Sequence, residues 1–133
     1  MDTNNSGQRL LTELDFARIS KLNRGQLPED LIEDLNSADL VLSQGISPDI
    51  VTMNSQVEID FDGSAIRQKF TICYPKDVDA GLGFISILSP VGSALLGRRV
   101  GDTVSWQMPL GEERSAKVIA ILFQPEASGD YTT

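Results

Sequence analysis

Histidine is absent from the sequence, and cysteine occurs once, at Cys73, among 133 residues. Zinc sites are built from clusters of cysteine and histidine, and most serine or cysteine nucleophiles need a histidine base. These kinds of site are therefore excluded. A lone cysteine forms no disulfide within the chain, and without a partner base its thiol is not activated. We predict that Cys73, which lies in a strand pattern, fills a small buried apolar position.

Long apolar runs are also missing. No run approaches the roughly 18 residues that a membrane-spanning helix needs. The first ten residues, MDTNNSGQRL, have neither the basic start nor the apolar stretch of a signal peptide. We therefore expect a cytoplasmic protein that does not contact membranes.

Basic residues are few, since 11 lysines and arginines stand against 19 acids and the net charge is −8. Binding to DNA or RNA normally needs a basic face, because neutralised phosphates supply most of the affinity. We therefore expect no direct, sequence-specific binding of nucleic acid. An acidic protein that acts near nucleic acid would bind a basic protein surface. The alternative is that the excess carboxylates only keep a small protein soluble.

The glycines do not form a nucleotide site. Gly81 and Gly83 match neither the dinucleotide fingerprint nor the phosphate-binding loop, and no Gly-Lys-Ser/Thr triplet occurs. These glycines indicate turns and caps. The sequence therefore predicts no cofactor and no catalytic residues.

Two short helices are predicted before residue 48. Thr12 is a favourable N-cap, Asp15 stands where a capping-box acid would reach back to it, and Gly25 would end the first helix. Pro28 fits the first turn of the second helix and Gly45 its C-terminal cap. Isolated helices of this length are marginal in water, so we predict a short antiparallel helical hairpin. The second helix would pack through one apolar stripe, formed by Leu31, Leu35, Ala38 and Leu42.

After a boundary near Gly45–Pro48, alternating patterns predict strands and one short helix. An Asp62-Gly63 hairpin turn would join the first two strands. The near-continuous apolar run of the last strand indicates a well-buried place in the sheet. The chain is thus predicted to be an α+β protein, with residues 1–47 forming a tail and the hairpin and residues 48–133 an antiparallel sheet with one helix. The predicted elements are strands Val51–Phe61, Ala65–Tyr74 and Gly83–Leu88, helix Val91–Leu96, and strands Thr103–Met108 and Lys117–Phe123.

Two carboxylates near the start of the second helix could have a function. Asp30 and Glu33 lie three residues apart on one helix face. Two such carboxylates can hold a Mg²⁺ ion that keeps several of its waters. The alternative is that acids at a helix N-terminus only complement the helix dipole, which requires no ligand. The basic pair Arg98-Arg99 is predicted to form a surface ion pair or to cap the preceding helix.

Four segments resemble a known family. The string SPVGSALLGRRVGDTV (Ser89–Val104) resembles the C-terminal domain of the Gre transcript-cleavage factors. VTMNS (Val51–Ser55), CYP (Cys73–Pro75) and QPEASGDY (Gln124–Tyr131) resemble more narrowly the Rnk family, the regulators of nucleoside diphosphate kinase. The resemblance implies an FKBP-like fold for residues 48–133 and a coiled-coil-like finger over Leu10–Gln44.

The same resemblance implies that the protein binds RNA polymerase at the rim of its secondary channel. The matching docking residues are Ser89, Pro90 and neighbouring Val91, although Leu88 replaces the acid that precedes Ser-Pro in the cleavage factors. Asp30 and Glu33 reproduce the spacing of the acids that those factors carry at the finger tip.

Length argues against cleavage. The predicted helix from Thr12 to Asn23 is roughly 18 Å long, at about 1.5 Å per residue, and the fingers of the cleavage factors are more than twice as long. We therefore expect a monomeric, non-enzymatic regulator that competes with the cleavage factors for polymerase without cleaving. The alternatives are a true cleavage factor using Asp30 and Glu33, an indirect regulator of nucleoside diphosphate kinase level, and a prolyl isomerase, which the FKBP-like fold also hosts.

Overall fold

The computed structural model describes residues 9–22, 25, 27, 29–61, 66–107 and 110–130, with the backbone alone at Asp30 and Gln107. Pro28 and the predicted Asp62-Gly63 turn lie outside the described residues. From Arg9 onwards, the described residues pass through a strand, two helices and a second strand. These elements are β1 (Leu10–Thr12), α1 (Glu13–Ser20), α2 (Glu29–Ser37) and β2 (Asp39–Val41).

The predicted antiparallel helical hairpin is wrong. β1 and β2 form a parallel pair, in which Leu11 lies opposite Leu40. Parallel strands cannot be joined by a tight turn and need a crossover connection, and the two helices are part of that connection. The second helix therefore ends at Ser37 instead of continuing towards Gly45, and Leu42, a member of the predicted stripe, is 63% exposed.

A second sheet carries the rest of the fold. Its strand order is β5-β4-β3-β7-β6. Neighbouring strands are antiparallel except for β4 and β5, which are parallel. The α+β class is confirmed, but the predicted antiparallel sheet is wrong at this edge. The strands and the remaining helix are β3 (Gln56–Phe61), β4 (Arg67–Cys73), β5 (Phe84–Ser86), α3 (Pro90–Leu95), β6 (Thr103–Gln107) and β7 (Glu113–Phe123).

The chain reverses twice between β4 and β5. It passes through two short 3-10 turns, Pro75–Asp77 and Ala80–Leu82, before β5 begins. Because of this detour β5 returns in the same direction as β4. A sequence pattern that predicts a strand carries no information on this direction.

The buried side chains of the helices and of the sheet form one hydrophobic cluster. Its members come from the helices and from the sheet alike, and 0–7% of the surface of each buried member is exposed. The division of the chain near Gly45–Pro48 stays a prediction. The helices nevertheless bury their apolar face against the sheet, so they do not project from it as a free arm. The cluster includes Leu11, Ile19, Leu31 and Leu35 with Val51, Val57, Ile59, Ile72 and Leu95.

The predicted burial of Cys73 is confirmed. Cys73 is fully buried and its thiol donates to the Ile85 carbonyl at 3.3 Å. Burial raises the pKa of the Cys73 thiol, and the nearby carboxylate of Asp77 adds to the rise. Trp106 is half-buried and meets the Phe61 ring edge-on, with centroids 6.0 Å apart. Among the helices described, none has the length and apolarity to cross a membrane.

Candidate functional site

The turn into α3 contains the predicted docking residues. Ser89 caps the helix, since its hydroxyl accepts from the Gly92 amide at 3.0 Å and donates to the Ser86 carbonyl at 2.7 Å. Pro90 occupies the first helical position, where its fixed φ is favourable. The Ser89 hydroxyl is therefore occupied within the turn. Pro90 is exposed and Val91 is half-buried, so Pro90 is the residue of the three that is most accessible.

Gly92 allows α3 to lie directly against the end of β5. A Cβ at this position would lie 2.2 Å from the Ser86 carbonyl oxygen, closer than two atoms can approach. At the other end of the helix, Gly97 adopts a φ of +76°, which only glycine adopts readily. Gly97 therefore lets the chain turn directly after α3.

Two arginines bind the C-terminal carbonyls of α3. Arg9 Nη1 donates to the carbonyls of Ser93 and Leu96, the second at 3.0 Å. Arg98 Nε donates to the Ala94 carbonyl at 3.3 Å. The last carbonyls of a helix have no partner within the helix, so these guanidinium groups satisfy them. The predicted capping role is confirmed for Arg98, whereas no local pattern indicated that Arg9 would be buried.

Asp34 of α2 links both arginines. Its Oδ2 accepts from Arg9 Nε at 2.9 Å and lies 2.8 Å from Arg9 Nη2 and 3.5 Å from Arg98 Nη2. The side chains of Arg9 and Arg98 are 4% and 11% exposed, and that of Asp34 is 27% exposed. Burial lowers the pKa of Arg98, while the carboxylates of Asp34 and then Asp102 oppose the change. We call Arg9, Asp34 and Arg98 the arginine clamp.

A groove of about 750 Å³ lies beside the clamp, between α2, α3 and β6. Glu33 and Pro90 both line it, together with Asp34, Trp106 and Glu113. The structure thus brings one of the two predicted helix acids next to a predicted docking residue. The side chain of Asp30 lies outside the described residues, so its pairing with Glu33 stays a prediction. Within the described part of the chain, no three side chains of the metal-binding types are grouped as they would be around an ion.

A second polar cluster surrounds Asp15 of α1, and the sequence did not predict it. Thr12 caps α1 as predicted, accepting from the Asp15 amide at 3.0 Å. The Asp15 carboxylate does not follow the capping-box expectation, because its Oδ2 accepts from the Met53 amide at 3.1 Å. Asp15 is 1% exposed, and its Oδ1 accepts no hydrogen bond from any described residue.

The environment of Asp15 favours its neutral form. Burial raises the pKa of Asp15 from 3.8 to about 7, and the nearby carboxylate of Glu126 adds to the rise. The Met53 amide, Thr12 and the Arg18 cation lower the pKa but do not offset the burial. The group is thus able to take up and release a proton near neutral pH. It lies beneath the surface and therefore has no direct access to a substrate.

Glu126 belongs to the same cluster and joins the C-terminal segment to the loop before β3. Its Oε1 accepts from the Thr52 hydroxyl at 2.7 Å, and the Ser55 hydroxyl lies 2.8 Å from that of Thr52. Nearby, Gln124 Nε2 donates to the Ile50 carbonyl at 2.8 Å. The string VTMNS therefore lies against the start of QPEASGDY, at Gln124 and Glu126. In the sequence, this cluster could have been recognised from polar residues that interrupt otherwise apolar stretches.

Comparison with known proteins identifies relatives of the whole chain. Residues 46–123 match the family model for the C-terminal part of the transcription elongation factors GreA and GreB. The regulator of nucleoside diphosphate kinase from Escherichia coli K12 is 36% identical over 129 residues, covering 92% of this chain and 94% of that protein. A solved structure described as transcription elongation factor GreA/GreB from Nitrosomonas europaea is 36% identical with a TM-score of 0.71, covering 87% of this chain and 98% of that one.

The similarity to GreA itself is more limited. Transcription elongation factor GreA from Chlorobium phaeovibrioides is 35% identical over 101 residues, covering 75% of this chain and 64% of that protein. More than a third of that GreA thus lies outside the match, whereas almost all of the E. coli regulator lies within it.

Proposed function

The chain belongs to the family that shares the C-terminal part of GreA and GreB and that includes the E. coli regulator of nucleoside diphosphate kinase, and we propose that it binds RNA polymerase near the secondary channel. In this proposal it competes with transcript-cleavage factors and has no cleavage activity of its own. The observation that carries the proposal is the exposed Pro90 at the start of a rigidly held α3, within the region that matches the elongation factors.

Docking through α3 agrees with the chemistry of this surface. Pro90 is an exposed apolar residue beside a groove whose rim carries the exposed acids Glu33 and Glu113. An apolar contact surrounded by polar groups is the usual composition of a protein interface. The excess of acids over basic residues favours a basic partner surface over phosphates.

We propose that the protein does not stimulate cleavage because its helices are too short to bring their acids to the polymerase active centre. α1 and α2 have eight and nine residues, so they are about 12 and 14 Å long at 1.5 Å per residue. Their apolar faces are buried against the sheet, and Glu33 lines the groove beside Pro90. A carboxylate positions a Mg²⁺ ion only by direct contact at about 2 Å. With α3 docked at the rim, Glu33 would therefore stay near the rim as well.

The proposal is tested by competition on core RNA polymerase. The dissociation constant of the labelled protein should rise with added Gre factor, as expected for a shared site. Pro90→Lys should weaken binding at least tenfold, about 1.4 kcal/mol, because it places a charge in the apolar contact. Leu110→Lys is the matched control, since Leu110 is 98% exposed in the turn between β6 and β7. Equal affinity of both variants and the wild type would contradict docking through α3.

Cleavage is tested separately with a stalled elongation complex. The wild-type protein should leave the transcript intact and should inhibit cleavage by an added Gre factor. Cleavage by the wild-type protein that disappears in Asp30→Asn and Glu33→Gln would show that the reach argument is wrong.

The name of the E. coli relative supports a second function, regulation of nucleoside diphosphate kinase. We propose that any such effect is indirect, through transcription. Mixing the purified protein with the kinase should give no complex by size-exclusion chromatography. A stable complex would favour direct regulation.

A further inference from the structure

α3 is too short to be stable by itself. It has six residues, and isolated helices below about 12 residues are marginal in water. Its orientation must therefore come from contacts with residues outside the helix. At its N-terminus these are the Ser89 cap and the contact of Gly92 with the Ser86 carbonyl. At its C-terminus they include the hydrogen bonds from Arg9 and Arg98.

Both guanidinium groups are almost fully buried, which is unfavourable unless an anion compensates the charge. Asp34 Oδ2 lies within 3.5 Å of each, so this one carboxylate stabilises two cations that would otherwise repel each other. Arg9 meets this oxygen through two donors, Nε at 2.9 Å and Nη2 at 2.8 Å, which together hold the plane of its guanidinium group, whereas Arg98 meets it through Nη2 at 3.5 Å. The direction in which Arg9 donates to α3 therefore depends on Asp34, and the position of Arg98 depends on Asp34 through the attraction of opposite charges.

We propose that Asp34 is a positioning residue for polymerase docking, acting through Arg9 and Arg98 on α3. This inference rests on the proposed function, because α3 carries Pro90. Loss of the Asp34 charge leaves two adjacent buried cations, which lower their energy by moving towards solvent. The carbonyls of α3 then lose their donors. Because α3 is only about 9 Å long, a change in its tilt displaces Pro90 as well.

The clamp also assigns a role to the N-terminal segment. Arg9 precedes β1 and Asp34 lies in α2, whereas the helix that they hold begins about 80 residues after Arg9. The N-terminal helices thus contribute to docking by holding α3 and not by reaching into the channel.

The test compares Asp34→Asn with Asp39→Asn. Asp39 is an exposed aspartate of β2, so both variants lose one carboxylate with the same change in size. Asp34→Asn should weaken binding to core polymerase at least fivefold, and Asp39→Asn should bind like the wild type. Amide hydrogen exchange in residues 89–98 should accelerate at least tenfold in Asp34→Asn while exchange in β3 stays unchanged. Asp34→Glu, which keeps the charge, should restore most of the affinity.

Two results would overturn the proposal. The first is that Asp34→Asn binds core polymerase as tightly as the wild type. The second is that exchange accelerates over the whole chain in Asp34→Asn and that Asp34→Glu binds as weakly as Asp34→Asn. If Asp34→Asn does not fold, Arg98→Lys decides the matter. Arg98→Lys keeps the charge but loses the Nε donor to Ala94, and it should bind polymerase at least threefold more weakly; unchanged affinity overturns the proposal. If the wild-type protein does not bind polymerase, the proposed function fails, and the exchange data alone decide whether Asp34 holds α3.

Discussion

Replacing Asp15 with asparagine removes a titratable group that α1 buries beneath the loop before β3. The carboxylate accepts one hydrogen bond from the Met53 amide, and the charged groups that influence it are Glu126 and Arg18. The Tyr74 hydroxyl is close enough that Asp15 contributes to the raised pKa of Tyr74, after the larger effect of burial. An asparagine keeps the acceptor for Met53 and carries no charge at any pH.

The magnitude follows from the pKa of Asp15, which is 3.8 in the unfolded chain and about 7 in the folded protein. Between these values the folded state holds a proton that the unfolded state has released. The free energy of unfolding therefore falls as the pH rises through this window. At about 1.4 kcal/mol per pKa unit, the loss amounts to about 4 kcal/mol when complete. Below pH 4 both states hold the proton, and this stability is fully present.

The assay is urea unfolding of the wild-type protein and Asp15→Asn at several pH values from 4.5 to 8. The wild-type protein should lose about 3 kcal/mol relative to the variant across this range, since part of the total loss occurs below pH 4.5. Taking the difference between the two proteins cancels the titration of groups that do not interact with Asp15. Glu13→Gln, an exposed acid of the same helix, should follow the wild type throughout. A difference that is constant with pH, or that changes in favour of the wild type as pH rises, would refute the reasoning.

Three further predictions concern local contacts. Gly92→Ala should lower the free energy of unfolding by about 2 kcal/mol, because its Cβ overlaps the Ser86 carbonyl, and urea unfolding with no change would contradict the close approach. Thr12→Ala should cost about 1 kcal/mol through loss of the cap, with Thr12→Ser retaining it, and equal losses in both variants would argue against the hydrogen bond to the Asp15 amide. The buried Cys73 thiol should react with a thiol reagent only when the protein opens, so reaction as fast as that of a free thiol would show that it is accessible.

The elements that the sequence predicted well are those that local chemistry defines. α3 lies within one residue of its predicted bounds, Val91–Leu96, because Ser89 caps its start and Gly97 turns the chain after its end. The strands of the larger sheet were recognisable because one face is buried, as the alternation of Val57 and Ile59 with half-buried neighbours illustrates. In these places the hydrophobic alternation and the capping residues act within a few positions of the chain, and the tertiary contacts favour the same structure.

The elements predicted wrongly depend on partners far along the chain. β1 pairs with β2 through three residues on each side, 29 positions apart, and a strand of three residues is too short to show alternation. The Asp15 spacing suits a capping box, but the carboxylate instead accepts a hydrogen bond from the Met53 amide, 38 positions away. Arg9 lies next to a polar tail, and its burial depends on Asp34 and on the carbonyls of α3. None of these partners can be identified from local sequence.

The two polar clusters together bear on how the molecule can act. Asp15 ties α1 to the loop before β3, and the arginine clamp ties α2 to α3 through Asp34. An arm that entered the polymerase channel would have to release both clusters and expose the apolar faces of both helices to water. At about 25 cal/mol per Å² of apolar surface, exposing side chains such as Ile19 and Leu31 alone costs several kcal/mol. The proposed docking without entry into the channel is thus supported by how the helices are packed as well as by how short they are.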